Sequence, residues 1–438
     1  MRTKRALRVH VVTMGCAKNV VDSEKLLAQL KLGGVEVASD VRRADVAVIN
    51  TCGFIEAAKQ ESVDAIIDHV RLKSRGRLKK VFAMGCLTER YMKELQKEIP
   101  EVDRFFGSHQ MADVVRALGA EYRSDLVGER VLTTPAHTAF LKISEGCDNP
   151  CSFCAIPLMR GVHASRPMEE ILDETRRLVD GGVKEIVVIG QDTTYFGLDT
   201  MGKRVLPELL QRIADVPGLE WIRLMYAYPA NFPIELLEVI AGHPRICKYL
   251  DMPVQHVAEP VLKSMRRGIS GRALRELIST IRERVPGIAL RTTLIVGYPS
   301  EGEREFQELE RFVEETRFER LGVFSYSLEE GTTAYPLGDP IAAEEKDRRL
   351  GRIMEIQQHI SSERNASLIG QQLRVLIDRK EKDLFVGRSE FDAPDIDNEV
   401  FVHADRVLTI GTFHQVEIVD AYEYDIVGNA VQSAAGGA

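Results

Sequence analysis

The chain has 438 residues, 44% of them hydrophobic and 28% charged, with a formal net charge of −8. That length and apolar content predict two or three domains with real cores, and no apolar stretch is long enough to span a bilayer. Seven cysteines, an odd number in a large chain, argue against a disulfide framework and for a reducing cytoplasm. Met1 to Val20 has basic residues but no apolar h-region with a cleavage site, so no signal peptide is read there.

A first domain, 7–125, reads as α/β. Apolar runs at Val9–Val12, Val46–Ile49 and Val81–Ala83 alternate with helical patterns such as Val63, Ile66, Ile67 and Val70. The alternation predicts a parallel sheet with helices on its faces. Each run ends in a cysteine: Cys16, Cys52 and Cys86. The carboxyl ends of parallel strands share one edge, where ligands collect. Three thiols spaced roughly one βα unit apart can therefore converge. The plain alternative is three small core residues; Gly15 and Gly85, directly before two of them, favour ligands because glycine lets a backbone approach a cofactor closely.

A second domain, 133–365, repeats strand then helix six times. Its candidate strands are Phe140–Ile143, Glu185–Gly190, Trp221–Ala227, Tyr249–Val254, Leu290–Val296 and Leu321–Ser325. Six units predict an incomplete parallel barrel, (βα)6, whose site lies at the carboxyl ends of the strands. After Pro336 come a linker and a charged helix whose packing face is marked by Leu350, Ile353 and Met354. A third domain, 368–433, turns to short alternating strands, Leu373–Asp378, Leu384–Arg388, Val400–Val402 and Gln415–Val419, and predicts a small antiparallel β-barrel. The tail from Gly428 is expected to be disordered.

Directly after the first barrel strand lies Glu145-Gly146-Cys147-Asp148-Asn149-Pro150-Cys151-Ser152-Phe153-Cys154. Three thiolates at this spacing suit a four-iron cubane and leave one iron open for another ligand. A zinc site more often shows two Cys-x-x-Cys pairs or added His, and this loop has no His.

The triplet resembles that of the radical S-adenosylmethionine (SAM) superfamily, in which the methionine moiety of SAM occupies the open iron. Over essentially the whole chain, the order of domains resembles the methylthiotransferase family, with the last barrel corresponding to a TRAM domain. Met14-Gly15-Cys16-Ala17-Lys18-Asn19 and Asn50-Thr51-Cys52-Gly53-Phe54-Ile55-Glu56-Ala57-Ala58-Lys59 look like the RimO type, as does Gly85-Cys86-Leu87-Thr88-Glu89-Arg90-Tyr91. The MiaB type, which acts on a transfer-RNA adenosine, typically has Gln-Met in place of Ala17-Lys18 and is the alternative.

The resemblance implies a cytoplasmic transferase that methylthiolates the β-carbon of an aspartate in small-subunit ribosomal protein S-twelve. It implies two SAM molecules and two 4Fe-4S clusters, one on Cys147, Cys151 and Cys154 and one on Cys16, Cys52 and Cys86. It also implies an electron donor such as flavodoxin or ferredoxin. Inserting sulfur at an unactivated C–H lies beyond acid–base side chains, so the cofactors carry the chemistry and the protein positions them. No catalytic side chain is assigned beyond the six cysteines.

Further candidate SAM contacts follow the barrel strands. Gln191 and Asp192 lie after the second strand, where a plain βα turn is the alternative. Gln255, with His256, lies after the fourth; a polar pair capping the next helix is equally open. Gly297 lies in a string resembling an adenine-binding strand end. Arg160 would neutralise a carboxylate, or else form a surface salt bridge. Cys247 is read as a buried apolar residue.

A TRAM-type barrel is usually an RNA-binding element, which makes RNA the rival substrate. From Gly370 onward, however, 6 Lys and Arg face 13 Asp and Glu, and Asp378, Glu381, Asp383, Glu390, Asp392, Asp395, Asp397 and Glu399 crowd one stretch. Phosphate binding asks for the opposite charge. Little nucleic-acid affinity and an attraction to a basic protein are therefore expected. A non-catalytic ribosome-assembly scaffold bearing zinc or a cluster is the third hypothesis.

Overall fold

The computed structural model describes residues 7–124 and 128–431. Its first sheet contains β1 (Arg8–Thr13), β2 (Glu36–Val37), β3 (Val46–Thr51), β4 (Lys80–Gly85) and β5 (Arg104–Phe106), all parallel, in the doubly wound order 2-1-3-4-5. Every residue of β3 is buried, as a parallel strand covered on both faces must be. Val46 and Val48 face one core with Leu26, Leu30, Val114 and Val115. Ala47 and Ile49 face the other with Ile66, Leu87 and Leu95. The helices supplying these residues are α1 (Ala17–Leu32), α2 (Glu56–Ser74), α3 (Cys86–Glu98) and α4 (Met111–Ala117). β2 and β5 are too short to stand out as periodic runs and were not expected.

The second sheet has six parallel strands in the order 13-12-11-10-9-6: β6 (Thr138–Lys142), β9 (Glu185–Ile189), β10 (Trp221–Leu224), β11 (Ile246–Asp251), β12 (Ala289–Val296) and β13 (Arg320–Ser325). A short antiparallel pair, β7 (Ser144–Glu145) and β8 (Ala164–Ser165), brackets the cysteine loop and α5 (Ile156–Arg160). Two expected strands end early, at Leu224 and Asp251, because the chain leaves the ladder there. Tyr226 then takes a φ of 61°, in the left-handed region that strand residues avoid, and Gln255, at 71°, rejoins β12 only through a single bridge to Leu294. The helix Ala343–Ala366 returns along the sheet and buries Ile353 in the main core, with Leu350 and Met354 packed against it.

The third unit is a closed five-stranded barrel of β14 (Gln372–Glu381), β15 (Leu384–Arg388), β16 (Val400–His403), β17 (Phe413–Ala421) and β18 (Ile426–Ala430). It is not wholly antiparallel: β16 and β18 pair in parallel. The expectation of disorder from Gly428 is also corrected. Gly428 pairs with Val402 and Ile418 inside β18, and a side chain there would strike Val416 at 2.4 Å, so its bareness serves packing rather than flexibility. The rest of that expected tail, 432–438, lies outside the described residues.

One face of the six-stranded sheet packs on its own helices. The other meets the neighbouring units: Phe140, Val187, Trp221 and Tyr249 touch Val21 of α1 and Leu376 and Ala393 of the small barrel. The acidic stretch turns toward this same face, which corrects the reading of it as a free acidic surface. Asp378 accepts from His137 Nε2 at 2.8 Å and pairs with Arg388 at 2.7 Å. Arg388 and Arg223 together hold the fully buried Glu185 at 2.7 and 3.0 Å. Asp392 pairs with Arg320, and Asp397 with Arg291 at 3.3 Å and the Tyr249 hydroxyl at 2.7 Å. Only Glu381, Asp383 and Asp395 of the eight acids are exposed, and Glu381 already pairs with Arg379. Three of the eight acids, Asp378, Asp392 and Asp397, are thus spent at the interface between domains.

Candidate functional site

Cys16, Cys52 and Cys86 follow β1, β3 and β4 and straddle the point where the strand order reverses, the place where doubly wound sheets bind ligands. Gly15 has a φ of +83°, and a Cβ there would meet Cys52 Sγ at 2.8 Å; the bare backbone brings Cys16 and Cys52 together. Gly85 has a φ of +104° and lies so close to Asn50 Oδ1 that a Cβ would stand 2.5 Å from it. Both glycines thus serve the convergence of the strand ends. The negative charges that Cys16 and Cys52 would carry both act on the Cys86 thiol.

The second triplet lies on the loop between β7 and α5. Ser152, between two of its cysteines, donates its Oγ–H to Ser264 O at 2.8 Å and its backbone N–H to Met265 O at 2.9 Å, sewing the loop to the barrel. Asn149 Nδ2 donates to Asp192 Oδ2 at 2.8 Å. Arg267 Nη1 donates to Cys151 Sγ at 3.2 Å and stacks over the Tyr228 ring, whose hydroxyl lies 3.6 Å from the same sulfur. The segment after the second triplet adjoins the first. Ala155, the residue after Cys154, packs with Met159 directly against Cys86.

Burial pushes the Cys52 thiol up, and takes Cys86 and Cys147 to about 11 and Cys154 to about 12. Such sulfurs stay protonated at neutral pH until a metal replaces the proton. No three His, Cys, Asp or Glu side chains among the described residues crowd one point as ligands of a single ion do. A cubane, with one thiolate per iron, asks for a wider ring of sulfurs. The donor set is all thiol, with cationic Arg160 and Arg267 beside it. It suits iron–sulfur clusters.

Beside the triplets the strand ends leave acceptors without partners: Gln191 Oε1, Gln255 Oε1 and Ser144 Oγ are buried with no hydrogen bond. A buried, unpaired polar atom is costly, and open acceptors at these positions suit a polar ligand with donors of its own. The other amide group of Gln191, Nε2, donates to Glu145 Oε1 at 2.8 Å, so its orientation is set. Gln255 keeps its left-handed backbone although it is not glycine, a strain that persists where the surroundings impose it.

The remaining sequence candidates have other neighbours. Both oxygens of Asp192 are engaged, one capping Thr194 N at 2.9 Å and the other holding Asn149, so Asp192 shapes the loop. His256 Nδ1 accepts from Ala258 N at 3.0 Å, at the start of the next helix; this is the capping alternative. Its Nε2 lies 3.2 Å from Glu301 Oε2 but without hydrogen-bond alignment. The space above Gly297 is filled: a Cβ there would meet the Lys346 side chain at 2.4 Å, so the glycine makes room for that lysine. Arg160 is no surface residue. It is 5% exposed, and the carboxylates it neutralises are Asp22 at 2.6 Å and Glu145 at 3.3 Å. Cys247 is 2% exposed among Trp221, Tyr249 and Ala289, apart from both triplets.

Sequence reading missed Asn19, Asp22, Lys142, Glu145, Tyr226, Tyr228 and Arg267. Tyr226 and Tyr228 carried a usable signal, since they follow a barrel strand just as Gln191 does; Tyr226 lies under the Lys18 ammonium. Asp22 and Lys142 form a buried ion pair across 120 residues, with no local trace.

Three family models match the chain: the uncharacterized protein family UPF0004 over residues 8–107, the Radical SAM superfamily over 141–313 and the TRAM domain over 369–431. Among solved structures, the chain is similar to the radical SAM methyltransferase TsrM from Kitasatospora setae, with a TM-score of 0.55 at 14% identity, covering 75% of this chain and 77% of that one. It is also similar to the cobalamin-dependent SAM radical enzyme OxsB, with a TM-score of 0.52, covering 80% and 56%. At that identity the likeness speaks for the fold alone. Two curated relatives carry the name ribosomal protein uS12 methylthiotransferase RimO. That of Chloroherpeton thalassium is 51% identical over 98% of this chain and 100% of its own length. That of Bacteroides thetaiotaomicron is 51% identical over 96% and 97%. With half of all positions shared from end to end, the chain belongs to the RimO family of radical SAM methylthiotransferases.

Proposed function

We propose that the chain transfers a methylthio group to the β-carbon of an aspartate in ribosomal protein uS12, using two SAM molecules and two 4Fe-4S clusters. The substrate follows the name of its relatives. The observation that carries the two-cluster chemistry is the contact of Ala155, beside Cys154, with Cys86. Cys147, Cys151 and Cys154 hold one cluster, and Cys16, Cys52 and Cys86 the other. Bound there, the clusters and SAM supply what side chains lack, a radical able to take hydrogen from an unactivated carbon and a sulfur to replace it.

The chain's own residues bind and orient. Gln191 and Gln255 offer their free Oε1 atoms to the ammonium and hydroxyl donors of SAM. Asp192 fixes the triplet loop through Asn149, and Glu145 holds Gln191 in its rotamer. Arg267 faces Cys151 and offsets its charge. The units acting together are 7–125, 133–365 and 368–433, in the cytoplasm, with a flavodoxin or ferredoxin as electron donor. Nucleic-acid affinity is low, because the last unit carries 13 acids against 6 bases and two of its arginines, Arg379 and Arg388, pair with its own carboxylates.

Mass spectrometry of uS12 from cells with and without this gene tests the reading. The expected result is one methylthio group on an aspartate only when the gene is present. Unmodified uS12 together with methylthio-adenosine in transfer RNA would move the chain to the MiaB-type alternative.

A further inference from the structure

Arg160 ends α5, just past the contiguous triplet, yet its hydrogen bonds reach the dispersed one. Its Nε–H donates to Cys86 Sγ at 3.1 Å. Nη1 donates to Asp22 Oδ2 at 2.6 Å and to Glu145 Oε2 at 3.3 Å, and Nη2 donates to Asn19 Oδ1. Asn19 in turn donates its Nδ2–H to Met14 O at 2.8 Å and Thr51 O at 3.1 Å, the carbonyls leading into Cys16 and Cys52. One guanidinium and one amide therefore tie together all three dispersed cysteine positions. They are anchored through Glu145 to the loop that carries the other triplet. The whole arrangement is buried: Asn19 is 0% and Arg160 5% exposed.

We propose that Arg160 is a positioning residue for the cluster on Cys16, Cys52 and Cys86, setting its placement and its reduction potential from the domain that holds the SAM triplet. The inference rests on the reading that both triplets hold clusters. An N–H donated to a ligating sulfur draws electron density from it and makes the reduced cluster easier to reach. The fork geometry matters as much as the charge. Arginine serves sulfur, carboxylate and amide from one plane, whereas a lysine ammonium is a point charge on a flexible stem. Lys142 already places such a charge on Asp22 and Glu145, so charge alone is not what Arg160 adds.

The test uses the full chain, reconstituted anaerobically with iron and sulfide. A Cys151→Ala background confines the signal to the dispersed triplet. Redox titration followed by electron paramagnetic resonance, and cluster retention against a chelator, are compared for that background and for the same chain with Arg160→Gln, Arg160→Lys or Asp22→Asn. Arg160→Gln and Arg160→Lys are expected to lower the midpoint potential and to weaken retention by roughly 10-fold or more, the usual cost of losing an outer-shell partner. Asp22→Asn, which loosens Arg160 without removing it, should weaken retention by less. In a Cys52→Ala background the remaining cluster should keep its potential when Arg160 is changed. Should Arg160→Gln not fold, Arg160→Lys and Asp22→Asn carry the test. A dispersed-triplet cluster with unchanged potential and retention overturns the role of Arg160 alone. A Cys151→Ala chain that takes up no cluster overturns the two-cluster reading and this inference with it.

Discussion

The six-stranded sheet borders two charged layers that differ in what they leave unfinished. Against the small barrel, Glu185, Arg223, Arg388, Asp378, Arg320, Asp392, Arg291 and Asp397 pair with one another, and none of them has an orphaned atom. At the strand ends, Asp22, Lys142, Arg160 and Glu145 are also paired. Around them, however, Gln191, Gln255 and Ser144 keep buried acceptors open. A closed network holds two domains together; an open one awaits a ligand. Buried ion pairs are weak evidence of stability in themselves, so these two layers are told apart by the open acceptors of Gln191, Gln255 and Ser144 rather than by their charges.

The contrast breaks most completely at the cysteines. Cys151→Ala should abolish SAM cleavage, read as 5′-deoxyadenosine release. Cys52→Ala should leave cleavage in place and abolish methylthio transfer. Equal loss of cleavage in both variants would mean that the triplets do not divide the work.

In the closed layer, Arg388→Ala leaves buried Glu185 with Arg223 and Asp378 with His137 as their remaining partners. The expected cost is about 3–5 kcal/mol, visible as a lowered thermal transition, while SAM affinity of the folded protein is unchanged. A melting curve like that of the unsubstituted chain would show the layer to be idle.

Acid should loosen the same layer. Burial works against the Asp378 charge, but the His137 hydrogen bond and Arg388 outweigh it and hold its carboxyl below the usual range. Burial likewise opposes Glu185, and Arg388 with Arg223 outweighs it. For a carboxylate lowered in the fold, the stabilisation is complete above its unfolded pKa, near 4, and is lost as pH falls through the folded value. Asp397 runs the other way, because burial outweighs Arg291 and Arg320 and raises it, which offsets part of the loss. Tryptophan fluorescence checks this, since Trp221 packs on Phe413 of the small barrel. It should change below about pH 4 and remain steady between pH 5 and 8.

In the open layer, Gln191→Ala or Gln255→Ala should weaken SAM binding by about threefold to tenfold, the range of one hydrogen bond near 0.5–1.5 kcal/mol. Iron content and melting should hold. Isothermal titration of the reconstituted protein reads this, and unchanged affinity in both variants would remove SAM from these strand ends. Smallest of all, Cys247→Ala should cost about 1 kcal/mol of stability with full iron content, as befits a thiol used only for packing.

Much of this molecule could be read from residue order. Cys147, Cys151 and Cys154 lie within one loop, and strand–helix alternation places Cys16, Cys52 and Cys86 at one sheet edge. Strand ends were less legible. Tyr226 belongs by composition to its strand, and only its left-handed backbone shows where the ladder stops. The acidic stretch misled because a list of charges carries no direction: Asp378, Asp392 and Asp397 point at arginines from distant strands.

The sequence by itself determined the chemistry, since thiol spacing and hydrophobic period are short-range properties set by the geometry of a loop, a helix and a strand. Tertiary structure alone decided which charges meet. Arg160 and Asp22 stand 138 residues apart in the chain and 2.6 Å apart in the fold. Likewise, only packing shows that Lys346 fills the space at Gly297. Such pairings depend on how whole domains pack, because a charge in a low-dielectric interior takes whatever opposite charge the fold delivers to it.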